Sequence, residues 1–338
     1  MNAPLGWLGP GKLVDRVTVT VEGGSISYAG PATPTNLPSL DVDGFVMPGV
    51  VDRHVHIGLA DPVAVLEGGV TAVRDLGWPP EDIFPLADAS EGPGFDGPLI
   101  RAVGPILTCR AGYPSRAGWA PFGTALEVDG PDQAAAATRD VLRRSGVPVV
   151  KAALNADAGP TLADETLVAI CDAAHEGRAL VSVHAQGAGQ VGRALGAGAD
   201  ELAHCPWSER LTDDVVAAMA GRMRIVSTLD IHSYGADTPG LRTATDNLRR
   251  FVEAGGRVAY GTDLGNGPIP PGIHVGEAWH LARAGLSFER VLEAMTFRPL
   301  APGEPADIIA LAANPLEDLD ALGDVLLVIR AGRVVPPR

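Results

Sequence analysis

Lysine is almost absent. The 338 residues hold 26 basic side chains, yet only Lys12 and Lys151 are lysine, against 24 arginines. Aromatic residues are sparse, at 5%. Basic residues fall well short of the 41 acidic ones, which leaves a formal net charge of −15. So acidic a chain lacks the basic surface that nucleic acid and anionic membranes require, and neither is an expected partner. No apolar run approaches the roughly 18 residues of a spanning helix. The opening MNAPLGWLGPGK has no basic stretch followed by an apolar one, so no secretory signal is expected. Three cysteines, Cys109, Cys171 and Cys205, are an odd number without a CxxC spacing. That argues against a disulfide framework and makes a reducing cytoplasm the expected location. No repeat of 20–50 residues and no low-complexity tract is visible. What remains is an ordinary globular balance, 46% hydrophobic and 20% charged. The length suits two domains, or one large barrel with a small appendage.

The middle of the chain alternates short apolar runs with helical patterns. Strands are expected at 50–56, 70–75, 99–107, 147–154, 180–184, 199–204, 223–229 and 257–263. Helices are expected near 61–68, 81–89, 132–145, 164–176, 188–197, 211–221 and 241–255, several with clear starts such as Thr212-Asp213-Asp214. Eight strands each followed by a helix predict an α/β fold, a (β/α)₈ TIM-type barrel. One segment breaks the alternation: LTCRAGYPSRAGWAPFG, rich in Gly, Pro, Arg and aromatics, predicts a functional loop after the third strand. The ends differ. Residues 17–30 alternate and turn at Glu22-Gly23-Gly24, a β-hairpin, followed by a Pro-rich loop over 31–38. After two more helical stretches, 273–284 and 287–296, ADIIALAA and DVLLVIRAGRVV read as strands. The expected division is a composite β-domain of residues 1–48 plus 302–338, and a barrel domain over 49–301.

Chemistry-bearing side chains gather at the strand ends. His54 and His56 form an HxH pair, and residues i and i+2 of a strand face one side. Taken alone the pair is as well explained by two satisfied core histidines. The later strands tilt the balance: the fourth carries Lys151, the fifth ends at His184, the sixth at His204 and the eighth at Asp263. His175 and His280 sit in helical patterns and read as structural. His232 and His274 fall in loops, where a surface histidine and a substrate contact are equally good readings. Lys151 stands among apolar neighbours in PVVKAAL, in a chain that otherwise uses arginine for positive charge. Burial lowers the pKa of such an amine and frees it as a nucleophile. A neutral lysine amine adds carbon dioxide to give a carbamate, a two-oxygen ligand able to bridge two cations. The plainer reading is a lysine paired with a buried carboxylate.

The run VMPGVVDRHVHIGL resembles the PG-x-x-D-x-H-x-H signature of the amidohydrolase superfamily. GVTAVRDLG, VVKAAL, VSVHAQG, ELAHC, YGTD and the closing PGEPADIIAL to VIRAGRVV follow that family's order over nearly the whole chain. The subgroup it is most similar to contains imidazolonepropionases and Xaa-Pro dipeptidase-like enzymes. The resemblance implies a distorted barrel, a small β-sandwich domain built from both termini, and a binuclear metal centre. Carried over, His54, His56 and Asp263 would hold one ion, His184 and His204 the other, and carboxylated Lys151 would bridge them. The cofactors implied are two divalent ions, Zn²⁺ first, with a carbamate derived from CO₂ on Lys151. The reaction implied is hydrolysis of a C–N amide by a hydroxide bridging the ions, with Asp263 as general base and then acid.

Two other readings compete. A mononuclear aminohydrolase of the deaminase type would carry a Glu soon after its third histidine site, and His184 is followed by AQGAG. A non-catalytic barrel relative would have lost metal ligands, whereas every position here is filled. The expected substrate is a small amide, either cyclic or an N-acyl amino acid or dipeptide. Arg110 and Arg116 are candidates to clamp a carboxylate, Tyr113 and Trp119 to wall an apolar group, and His232 to contact the substrate. Surface ion pairs explain the arginines equally well. Self-association as a homo-oligomer stays open.

Overall fold

The computed structural model describes residues 1–33 and 37–336. Part of the expected loop over 31–38, and the last two residues of the chain, lie outside the described residues.

Two parallel sheets occupy the middle of the chain, an α/β arrangement. Val50–Val55, Val70–Asp75 and Leu99–Ala102 make a three-stranded sheet. The larger sheet runs, in spatial order, Ala125–Glu127, Ile106–Thr108, Val149–Asn155, Leu180–Gln186, Glu201–Leu202, Arg224–Val226 and Arg257–Ala259. The expected third strand, 99–107, is therefore split. Gly104, at φ 83°, turns the chain just before Pro105, so the first part stays in the small sheet and the second joins the large one. The facing edges are also joined: Arg53 N donates to Tyr260 O at 3.1 Å, His56 N to Leu264 O at 2.7 Å, and Asp263 N to His54 O at 2.7 Å.

Helices such as Asp164–Glu176 and Pro239–Glu253 fill the connections and bury one face each, the latter through Leu248, Phe251 and Val252. Side-chain caps set several starts. Asp61 accepts from Val63 N, Thr238 from Leu241 N and Ser287 from Arg290 N. Every residue of Val149–Asn155 is buried, as a parallel strand covered on both faces must be. Lys151, inside this run, is only 2% exposed.

The termini meet in one seven-stranded sheet. Its order is Arg333–Val335, Val325–Arg330, Ile308–Leu311, Phe45–Pro48, Asn2–Trp7, Leu13–Glu22 and Ser25–Pro31. The expected hairpin is there, its two-residue turn formed by Gly23 and Gly24 at φ 57° and 84°. Asn2–Trp7 and Phe45–Pro48 carry no alternation that marked them. Phe45–Pro48 links the two ends of the chain, pairing parallel to Asn2–Trp7 and antiparallel to Ile308–Leu311. Among the described residues no helix is long and apolar enough to cross a membrane.

Candidate metal centre

His54 lies in Val50–Val55, His56 just past its end, and Asp263 four residues beyond Arg257–Ala259, where the expected strand 257–263 stops short; one ligand atom from each falls within 4.8 Å of the others. All three are buried. Each imidazole is oriented by its Nδ1–H: that of His54 donates to Ala203 O at 2.7 Å, that of His56 to Gly77 O at 2.9 Å. With Nδ1 protonated, a neutral ring presents a lone pair at Nε2. Both Nε2 atoms lie 3.2 Å from the same Asp263 Oδ1. Three acceptors thus converge, and Asp263 Oδ1 has no hydrogen-bond partner of acceptable geometry. Such a cluster needs a cation or a proton between its members. Burial drives the His54 pKa well below its usual value, and the neighbouring Lys151 and His56 charges push the same way. For His56, burial is outweighed by the Asp263 carboxylate, and the pKa rises.

The backbone that aims these groups is itself held by a carboxylate. Asp52 accepts from His54 N at 3.0 Å, Thr262 N at 3.1 Å and Thr262 Oγ1 at 2.5 Å, locking the HxH strand to the segment before Asp263. Burial pushes its pKa up to about 7 despite those bonds. Asp263 itself adopts φ 58°, and its Oδ2 accepts from Asn266 Nδ2 at 3.2 Å.

The remaining expected ligands surround this trio. The His204 ring is 4.5 Å from His54 and 4.8 Å from His184, centroid to centroid. His204 Nδ1 bonds Thr228 Oγ1 at 2.8 Å. His184 Nε2 lies 3.3 Å from Asn155 Nδ2, which also donates to Gln186 Oε1 at 2.9 Å. Burial lowers the His184 pKa to about 3 and that of His204 well below normal. Lys151 is buried with no hydrogen-bond partner for Nζ among the described residues. Burial brings its pKa to about 7, against the opposing pull of Asp263 and Glu201. The donors present, neutral imidazoles, a carboxylate and an amine free to react, suit divalent metal ions.

Aromatic rings wall the histidines. Trp119 sits 4.4 Å from His56, Tyr113 stacks on His184 at 4.9 Å, and Trp119 Nε1 donates to Tyr113 Oη at 3.1 Å. Trp207, which sequence reasoning passed over, lies 5.8 Å from His184 and 5.6 Å from His204 and stacks on His232 at 4.2 Å. Its only local signal is its place three residues after His204. Arg110 and Arg116 are exposed, and Arg110 pairs with Asp129 across the surface.

A second group lies behind the His232 loop. Asp230 bonds His274 Nε2 at 2.7 Å and His280 Nε2 at 3.2 Å, which hold its pKa below the usual carboxylate range. Glu277 accepts from Leu229 N and Asp230 N, each at 2.9 Å. His280, read from its helical position as structural, is one half of this clamp. Cavities of about 790 and 880 Å³ lie beside this clamp and at the other ends of the strands, and neither is lined by His54, His56 or Asp263.

The model of the amidohydrolase family matches residues 45–335. An uncharacterised protein of Mycobacterium tuberculosis is 27% identical, covering 87% of this chain and 86% of its own. Among solved structures, a Xaa-Pro dipeptidase with bound methionine matches with a TM-score of 0.83 and 22% identity over 98% of both chains. A putative prolidase from Bifidobacterium longum matches at 0.80 and 26%, covering 98% of this chain and 92% of the other. Ochratoxinase of A. niger matches at 0.80 and 20%, covering 98% and 94%.

Proposed function

This chain belongs to the amidohydrolase family, and from that membership we propose a metal-dependent hydrolase that cleaves a C–N amide bond in a small molecule. The observation that supports this reading is the convergence of His54 Nε2, His56 Nε2 and Asp263 Oδ1, with Lys151 Nζ buried and unpartnered nearby. His54, His56 and Asp263 would hold one ion and His184 and His204 a second, with carboxylated Lys151 between them. The imidazole-rich set favours Zn²⁺. When bound, such ions supply hydroxide at neutral pH and polarise the scissile carbonyl. The fold that carries them is a (β/α)₈ barrel over 49–301, with a composite β-domain of 1–48 and 302–338, a small β-sandwich in this reading.

The side chains divide the remaining work. Asp263 takes the proton of the attacking water at Oδ1 and returns it to the leaving nitrogen. Its backbone, tied to His54 O, and Oδ2, tied to Asn266, keep Oδ1 aimed at the reacting atoms. Tyr113, Trp119 and Trp207 exclude bulk water and favour a substrate with an apolar or aromatic flank. The name of one structural relative, a Xaa-Pro dipeptidase, favours a dipeptide-like amide over a cyclic one.

Elemental analysis of purified active protein tests the centre. Two divalent ions per chain, with loss of hydrolysis on chelation, are the expected result. One ion or none in fully active protein refutes the binuclear reading. Carbon-13 NMR after exchange with labelled bicarbonate tests Lys151. A carbamate resonance is expected, and it vanishes in Lys151→Arg, because guanidinium forms no stable carbamate. Its absence from active enzyme refutes the carboxylated bridge.

A further inference from the structure

A cavity of about 880 Å³ opens at the N-terminal ends of the parallel strands, the opposite end from His54, His56 and Asp263. That volume is typical of small-molecule sites. Its lining holds Arg53, Arg74, Arg101, Arg178, Arg224 and Arg298, and Asp307 as its one carboxylate among the described residues. In a chain of net charge −15, that is a strong local reversal of sign.

The arginines outnumber their partners. Arg74 and Arg224 share the single carboxylate of Glu201. Arg101 pairs with Glu91, and Arg298 with Glu304. Among the described residues Arg53 donates to backbone carbonyls alone, Ala294 O at 2.8 Å, Thr296 O at 2.7 Å and Val51 O at 3.5 Å. Arg178, exposed at the rim, has no ion pair among the described residues. The guanidinium carbons of Arg53 and Arg298 lie 5.9 and 5.5 Å from the ring centre of Phe297, a residue that is 71% exposed. Cationic forks and an accessible aromatic face therefore share one concave surface.

We propose that this cavity is a second ligand site, for a small molecule bearing a phosphate or carboxylate oxyanion. Planar guanidinium groups recognise such oxyanions with paired, charge-assisted hydrogen bonds. Partial enclosure strengthens those bonds. The acidic remainder of the surface does not forbid binding, because its field decays over a Debye length of roughly 8 Å at physiological salt. An anion here balances the surplus of positive charge, and Phe297 offers its face to the ligand's body.

The test is isothermal titration of the whole protein with inorganic phosphate and, separately, succinate, against sodium chloride at matched ionic strength. Saturable binding with a Kd of about 1 mM or tighter is expected for at least one. Arg178→Glu and Arg298→Glu each weaken it about tenfold or more, with circular dichroism unchanged because both side chains are exposed. Binding of phosphate alone assigns a phosphate ester, of succinate alone a carboxylic acid, and of both a general oxyanion site. No saturable heat from either probe overturns the proposal. So does a Kd that moves less than about threefold in both variants, since the anion then binds elsewhere.

Discussion

Trp119 and Arg110 sit nine residues apart on one loop and make opposite kinds of contact. The Trp119 ring packs 4.4 Å from His56 and bonds Tyr113. The Arg110 guanidinium is four-fifths exposed and meets Asp129 at 3.3 Å. A partner so exposed contributes at most about 1 kcal/mol. A ring against a buried histidine shapes the surface on which substrate rests. Trp119→Ala is therefore expected to lower kcat/KM by about tenfold or more, roughly 1.4 kcal/mol. Arg110→Ala and Arg116→Ala stay within about threefold of the parent, well under 1 kcal/mol. Parallel assays on any hydrolysed amide check this. A loss above tenfold in either arginine variant would restore the carboxylate clamp that the loop's composition suggested.

The segment after Arg224–Val226 shows how an element is held in place and why part of the site was hidden in the sequence. Thr228, at φ 40°, turns its Oγ1 to His204 Nδ1, and two residues later Asp230 anchors the loop to His274 and His280. Glu277 holds the backbone of Leu229 and Asp230 from the same helix that carries His280. His232, stacked on Trp207, rides on this fixed segment. Asp230→Ala strands two histidines and is expected to cost on the order of 3 kcal/mol in stability. Urea unfolding monitored by circular dichroism checks it, and an unchanged midpoint would refute the anchoring role. Local patterning revealed the elements: the HxH strand, the apolar run over 147–154 and the capped start at Thr212 were all visible. The Asp230 clamp was not, because its partners lie 44 and 50 residues away and share no local periodicity with it. Nor was the split of 99–107 read, although Gly104, at positive φ, and Pro105 interrupt that run at the break.

At the scale of the whole molecule, the parallel strands are crossed by one buried carboxylate between two guanidinium groups. Glu201 has no solvent exposure and joins Arg74, on Val70–Asp75 of the small sheet, to Arg224, on Arg224–Val226 of the large one. Burial alone would raise its pKa, but Arg74 and Arg224 outweigh that and hold it at about 2 rather than the usual 4.5. Because the folded pKa is the lower, its contribution to stability is present above the unfolded value near 4.5 and is lost as pH falls toward 2. That contribution is worth about 3 kcal/mol. Glu201→Gln removes the charge but keeps the shape, leaving Arg74 largely buried without its carboxylate. Breaking a buried pair in this way costs about 3–5 kcal/mol. The variant is therefore expected to unfold at lower urea at pH 7, while its stability falls less steeply than the parent's between pH 4.5 and 2. Parallel urea titrations across that window measure both effects. A variant whose midpoint at pH 7 matches the parent's, or whose acid limb keeps the parent's slope, would show that the two sheets are held across the molecule by packing, with no net contribution from this ion pair.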